Sequence, residues 1–200
     1  MEKVRNLIIS PHIDDEVLGA FTFLNETTFV VYLGVENRSY ISAEERKIEL
    51  ARVAEKVGFQ YAVLDFEVNH YQCADLISPI ESYINDLKPE FLLIPSKSYN
   101  QDHRAAYEAA HCAARPHDQN FFVKNILVYE QPQTLLWPVD SFSPVYFKEL
   151  DLEKKLEAYE LYASQVRGHR SPQVLRSMAQ IRGKQSNYLY AEGFQILRFC

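Results

Sequence analysis

The strongest constraint on this chain is a rhythm in its first two thirds. Short apolar runs rich in β-branched or aromatic residues alternate with stretches whose apolar residues recur at helical spacing. Residues 4–9, 29–33, 61–66, 91–94 and 123–129 read as strands, several of them stopped by Ser or Pro. Between them, Val17, Leu18, Phe21 and Leu24 mark a helix starting near Asp14. Ser42 with Glu45 forms a capping-box pattern for a helix over 42–57, and Gly58 is its stop. Leu76, Ile77, Ile80, Ile84 and Leu87 form a stripe that Pro89 ends, and an Ala-rich helix covers 103–114. Strands alternating with helices imply parallel βαβ units, an α/β fold with helices on both faces of a mostly parallel sheet. Such sheets bind ligands at the carboxyl ends of their strands, where the strand order reverses.

The last third is less regular. Residues 131–147 are rich in Pro and aromatics and read as loops. Asp151 caps a helix over 151–164, and Ser171-Pro172 opens another that runs to Arg182 before Gly183. Residues 188–199 include a last strand. No linker composition sets this part apart, so the expectation is one domain over 1–200, with 131–200 an extension packed on the core.

Composition narrows the function classes. Hydrophobic residues at 47% and charged residues at 24% suffice for a real core and argue against disorder. A net charge of -6 disfavours a nucleic-acid polymer as partner. No apolar run approaches the roughly 20 residues of a membrane span. The opening MEKVRNLIIS lacks a leader cleavage site, and the three scattered cysteines suit a reducing, cytoplasmic setting. The aromatics of 131–147 would suit an interface, so a homo-oligomer stays open.

The chemistry concentrates where the first strand meets the first helix. His12, Asp14, Asp15 and Glu16 crowd into five positions of SPHIDDE. A helix cap and dipole account for one or two of the acids, but not for His12. Imidazole followed three residues later by carboxylate can close on one metal ion. A second cluster, Ser98 to His103, follows the fourth strand. First and fourth strands are commonly neighbours in a doubly wound sheet, which would bring His103 opposite His12 and Asp15. Two imidazoles and a carboxylate with open positions make a catalytic metal site. Zn2+ is the first choice for hydrolysis, with Fe2+ or another divalent transition metal suited to the same ligands.

SPHIDDEVLG resembles the PHxDDE signature of PIG-L/LmbE-type N-deacetylases, and NQDHRAAYEA resembles their second motif. Arg46-x-x-Glu49-Leu50, Lys88-Pro89, Ser164-Gln165 and YAEGF at 190–194 extend the likeness along the chain. The resemblance implies a Rossmann-like, LmbE-like fold and metal-dependent removal of an acetyl group from a small N-acetylated sugar or sugar conjugate. It makes His12, Asp15 and His103 the metal ligands and Asp14 the general base and acid. Many family members carry His where this chain has Asn100, whose amide can donate to an oxyanion but cannot shuttle a proton. That substitution keeps a second reading open, a non-catalytic sugar- or nucleotide-binding protein that retains the fold.

Asp102 is expected to orient Asn100, Arg104 or a ligand His, or to cap the Ala-rich helix. Arg46 matches a position that contacts substrate in some members; the alternative is a solvated helix arginine. His111 lies too far along its helix to share the metal. Arg167-Gly168-His169-Arg170 reads as a basic loop able to meet a phosphate, against a plain surface histidine.

Overall fold

The computed structural model describes residues 3–200 of the 200-residue chain. Met1 and Glu2, the start of the stretch read for a leader, lie outside the described residues. Five parallel strands, β1 (Asn6–Ser10), β2 (Thr28–Tyr32), β3 (Gln60–Val63), β4 (Phe91–Pro95) and β5 (Asn125–Tyr129), pair in the order β3-β2-β1-β4-β5. The chain then returns through β6 (Tyr146–Glu149) and β7 (Ala191–Arg198). β7 pairs antiparallel with β5, and β6 antiparallel with β7. The order reverses between β1 and β4, so their carboxyl ends flank the crevice that such sheets use for ligands.

Strand alternation splits the core in two. Ile8, Val30, Leu93, Leu127 and Phe194 point to one face of the sheet. There they meet α1 (Asp15–Ala20), α2 (Ala43–Val57), α6 (Leu152–Glu160) and α7 (Pro172–Ser186). Leu7, Ile9, Val31, Leu92, Ile94 and Val128 point to the other, against α3 (Cys73–Leu87) and α4 (Gln101–Ala113). Both faces of a parallel sheet are covered, which is why its strands read as continuous apolar runs. Among the described residues no helix is long and apolar enough to cross a membrane.

The local signals hold at most helix ends. Ser42 and Glu45 make the reciprocal capping box of α2, and Gly58 closes it with φ 89°. Asp151 and Ser171 cap α6 and α7. Four expectations need correction. α7 does not stop before Gly183 but runs to Ser186, where Asn187 takes the left-handed turn at φ 62°. Gly183 instead lets the returning chain pass, since a Cβ there would lie 2.6 Å from the Leu189 carbonyl oxygen. The helix expected to reach residue 164 ends at Glu160, with a separate 3-10 turn at Ala163–Gln165. β3 ends at Val63 rather than 66. Residues 131–147 are not all loop: Pro132 opens a short helix, α5 (Pro132–Leu136), and β6 begins at Tyr146. Five residues are too few to display a helical period.

Gly19 sits where α1 crosses the end of β5, and a Cβ there would collide with the Glu130 carbonyl oxygen and the Tyr129 ring. Gly19→Ala is therefore expected to cost about 1–3 kcal/mol through overpacking. It should lower Tm by roughly 2–4 °C per kcal/mol in a chain of this size. Thermal unfolding checks this, and an unchanged Tm would contradict the packing described.

Candidate metal centre and active site

The loop leaving β1 carries the site, and every backbone carbonyl along it has a partner. Ile9 O accepts from the Tyr129 hydroxyl at 2.8 Å, and Pro11 O from Tyr71 at 2.9 Å. Ser10 O accepts from Leu33 N, and His12 O from the Ser10 hydroxyl. Ile13 O accepts from Arg46 Nη2, Asp14 O from Leu18 N, and Asp15 O from Gln131 Nε2 at 3.1 Å. Asp14 lies in this loop with φ 132°, a conformation that costs a non-glycine residue on the order of 1–3 kcal/mol. The surrounding bonds over-determine the loop and hold it there.

The side chains of His12, Asp15 and His103 converge, with one ligand-type atom from each lying within 4.8 Å of the others. His12 Nδ1 is 3.3 Å and His103 Nε2 is 3.4 Å from the same oxygen, Asp15 Oδ2. Tetrahedral coordination with bonds of about 2.0–2.1 Å separates neighbouring donors by about 3.3–3.4 Å, so the residues fit a divalent cation. His12 Nε2 meets Asp102 Oδ2 at 3.0 Å, the carboxylate–histidine arrangement that fixes the ring of a metal ligand. Asp102 also accepts from the backbone of Asn69 at 2.7 Å and of Tyr71. Of the partners expected for Asp102, the structure selects a histidine, His12. Arg104 turns away to the carbonyls of Ser98 and Tyr99. The helix cap is Asn100, whose Oδ1 accepts from Asp102 N at 2.9 Å. That bond fixes the Asn100 amide with Nδ2 as its remaining donor.

The charges in this cluster are tuned by burial and by each other. For His12, burial opposes the cation, but bonds to Asp102 and Asp15 outweigh it and raise the pKa to about 10. Burial lowers His103 to about 4, which keeps its ring neutral and its lone pair free. Burial would raise Asp15, yet the facing His103 and His12 bring it down to about 2. Asp14 is buried, and that burial lifts its carboxyl to about 6 against the pull of Arg170. Arg170 Nη1 stands 2.9 Å from Asp14 Oδ2, yet off the hydrogen-bond axis, so this oxygen keeps no hydrogen-bond partner.

Arg46, expected as a substrate contact, is 1% exposed. Its guanidinium reaches Ile13 O, Glu49 and the Ser164 hydroxyl, which places it behind the loop rather than at an open surface. Glu192 is buried on Lys155 at 2.7 Å and accepts from the backbone of Phe21 and Thr22. His111 is exposed on α4. The basic loop is not an open phosphate site. Arg170 is turned inward to Asp14, and Gln165 Oε1 accepts from it.

Sequence reasoning missed Arg170, Gln131 and Tyr162. The 167–170 loop stands out for its charge, but nothing in its spacing reveals that Asp14 is its partner. Tyr162 donates to Glu16 Oε1 at 2.7 Å, and Glu16 in turn accepts from Asp14 N. Next to the site, a polar groove of about 920 Å³ runs along the ends of β2 and β3, with Asn69 in its wall.

Comparison with solved structures gives the same architecture. A conserved protein from Thermus thermophilus, TT1542, superposes with TM-score 0.78 at 20% identity, covering 96% of this chain and 93% of that one. The 4-carboxy-2-hydroxymuconate hydratase GalB from Pseudomonas putida KT2440 gives 0.77 at 20% identity, over 96% of each chain. The N,N'-diacetylchitobiose deacetylase from Pyrococcus horikoshii also gives 0.77 at 20% identity, over 98% of this chain and 84% of that one. A search of curated proteins found no match. The family described as PIG-L, GlcNAc-PI de-N-acetylase, matches residues 7–114, more than half of the chain and the segment that holds His12, Asp15 and His103. The chain belongs to the PIG-L family, as the paired SPHIDDE and NQDH motifs had suggested.

Proposed function

We propose that this protein is a metal-dependent hydrolase that removes the N-acetyl group from an N-acetylated amino sugar or sugar conjugate. The observation that carries the reading is the convergence of His12, Asp15 and His103 beside the buried, Arg170-paired carboxyl of Asp14. A divalent cation held by these three residues, Zn2+ first and Fe2+ or another transition metal otherwise, supplies Lewis acidity to the acetyl carbonyl and to water.

The rest of the chemistry falls to the chain. Asp14, ionised at neutral pH, takes a proton from the attacking water as oxygen bonds to the acetyl carbon. The Asn100 amide, its orientation fixed by the Asp102 N–H, donates to the developing oxyanion. The C–N bond then breaks, Asp14 returns its proton to the departing amine, and acetate leaves. Arg170 holds Asp14 in place, and Asp102 holds His12. Arg46 acts by fixing the loop through Ile13 O, a positioning part. Cys73, Cys112 and Cys200 are free, which fits a cytoplasmic setting. The family description and the chitobiose deacetylase support the substrate class. The hydratase on the same scaffold makes the reaction itself the point to test.

Chelation should abolish acetate release from N-acetyl sugars, and added Zn2+ should restore it; full activity in metal-free Asp15→Ala protein would end the proposal. Asp14→Asn should lower kcat by about 10²–10⁴, the usual contribution of a positioned acid or base, with metal content unchanged by elemental analysis. Asn100→Asp keeps the cap acceptor but removes the amide donor. It should leave Tm nearly unchanged while kcat falls by about 10²–10³. Wild-type turnover in that variant would remove Asn100 from the mechanism.

A further inference from the structure

Three segments of the chain bring aromatic side chains together, two of them directly adjoining Asn100 and Arg170. Tyr99 and Trp137 are 52% and 49% exposed, and their ring centroids lie 6.0 Å apart. His169 also packs against Trp137, with ring centroids 5.6 Å apart. Single exposed aromatics are ordinary, and Tyr40 and Phe199 are others in this chain; what sets these three apart is that they cluster, and that two of them adjoin Asn100 and Arg170.

Each ring is tied to a residue of the centre. Tyr99 directly precedes Asn100, and its carbonyl is held by Arg104. His169 directly precedes Arg170, the partner of Asp14. Trp137 closes α5, whose first residues are fixed at two points. Gln131 donates to Asp15 O, and the hydroxyls of Thr134 and Ser96 meet at 2.6 Å. The cluster is therefore rigidly registered to the metal ligands, although its members are 32 and 38 residues apart in sequence. Burial, then the charges of Arg170 and Arg167, lower the His169 pKa and favour its neutral ring.

We infer that Trp137, with Tyr99 and His169 beside it, is a stacking platform for the apolar face of a pyranose ring in the substrate. The platform would orient the sugar while its N-acetyl group reaches His12, Asp15 and His103. This inference rests on the deacetylase reading and extends it by naming a sugar subsite. A pyranose presents a patch of C–H groups on one face, which matches a flat, half-solvated ring, while its hydroxyls stay in water. The neighbouring groove along β2 and β3 is lined by charged side chains, Glu36, Arg38, Lys47 and Asp65 among them, and offers no comparable cluster of exposed rings.

Trp137 is the only tryptophan of the chain, so its fluorescence reports the platform directly. N-acetylglucosamine and N,N'-diacetylchitobiose should each change the emission of metal-loaded Asp14→Asn protein in a saturable way, and N-acetylglycine, an acetamide without a pyranose, should not. In the otherwise wild-type enzyme, Trp137→Ala should raise KM about tenfold, the effect of truncating an aromatic anchor, with a smaller change in kcat. Trp137→Phe should recover part of the loss. A sugar that is deacetylated with unchanged KM in Trp137→Ala, or that leaves the fluorescence unmoved, would overturn the platform and spare the deacetylase. A saturable fluorescence change without acetate release by the wild type would support the platform and count against the hydrolytic reading.

Discussion

The site depends on the backbone of residues 9–15. Seven consecutive carbonyls each accept a hydrogen bond, four of them from the side chains of Tyr129, Tyr71, Arg46 and Gln131 on distant parts of the chain. A loop with so many fixed points can hold Asp14 at a φ that a free chain would leave. It also sets adjacent aspartates to different tasks. Asp15 turns to two imidazoles and is held ionised, while Asp14 turns to Arg170 and is made more basic by burial. Two identical side chains acquire different proton affinities because their surroundings differ.

Those fixed points explain the buried polar groups that a core would otherwise exclude. Arg46 is surrounded by Glu49, Ser164 and a carbonyl, and Glu16 by Tyr162 and a backbone N–H. Each is expensive to bury and is compensated by hydrogen bonds that also brace the loop. The scaffold itself leaves the reaction open, since a deacetylase and a hydratase superpose on it equally well. What distinguishes one chemistry from another lies in side chains around the strand ends, here including the contribution of the C-terminal third through Arg170 and Trp137.

The strands and helices of the first two thirds were legible because their signals are local: apolar runs in strands buried on both faces, a capping box, a left-handed glycine. The convergence of His12, Asp15 and His103 was legible for a different reason. His12 and Asp15 share one loop, and the strand-order rule places β4 and His103 beside β1. The reading weakened where partners are remote. The 167–170 loop reads as basic and open to a phosphate because the carboxylate that Arg170 meets lies 156 positions earlier in the chain. Gly183 read as a helix stop because the path by which the Tyr188 and Leu189 carbonyls close on it is set by how the chain turns after α7, which its residue type alone does not show. The aromatic residues of 131–147 stand out in the sequence without any sign that Trp137 meets Tyr99 and His169.

The sequence by itself determined the parallel α/β architecture, the crevice between β1 and β4, and the two clusters, His12 with its aspartates and His103, that could meet there. These follow from hydrophobic period, residue chemistry and a general rule of strand order, all readable along a single segment or between two; the choice of Asp15 over Asp14 as the ligand-type carboxylate came from the family resemblance. Only the tertiary structure decided that Asp102 serves His12, that Arg46 braces the loop from behind, that Arg170 faces Asp14, and that Tyr99, Trp137 and His169 meet. Those contacts join residues from different layers of the fold, and their pairing is set by how the C-terminal elements dock on the sheet, which no local pattern encodes.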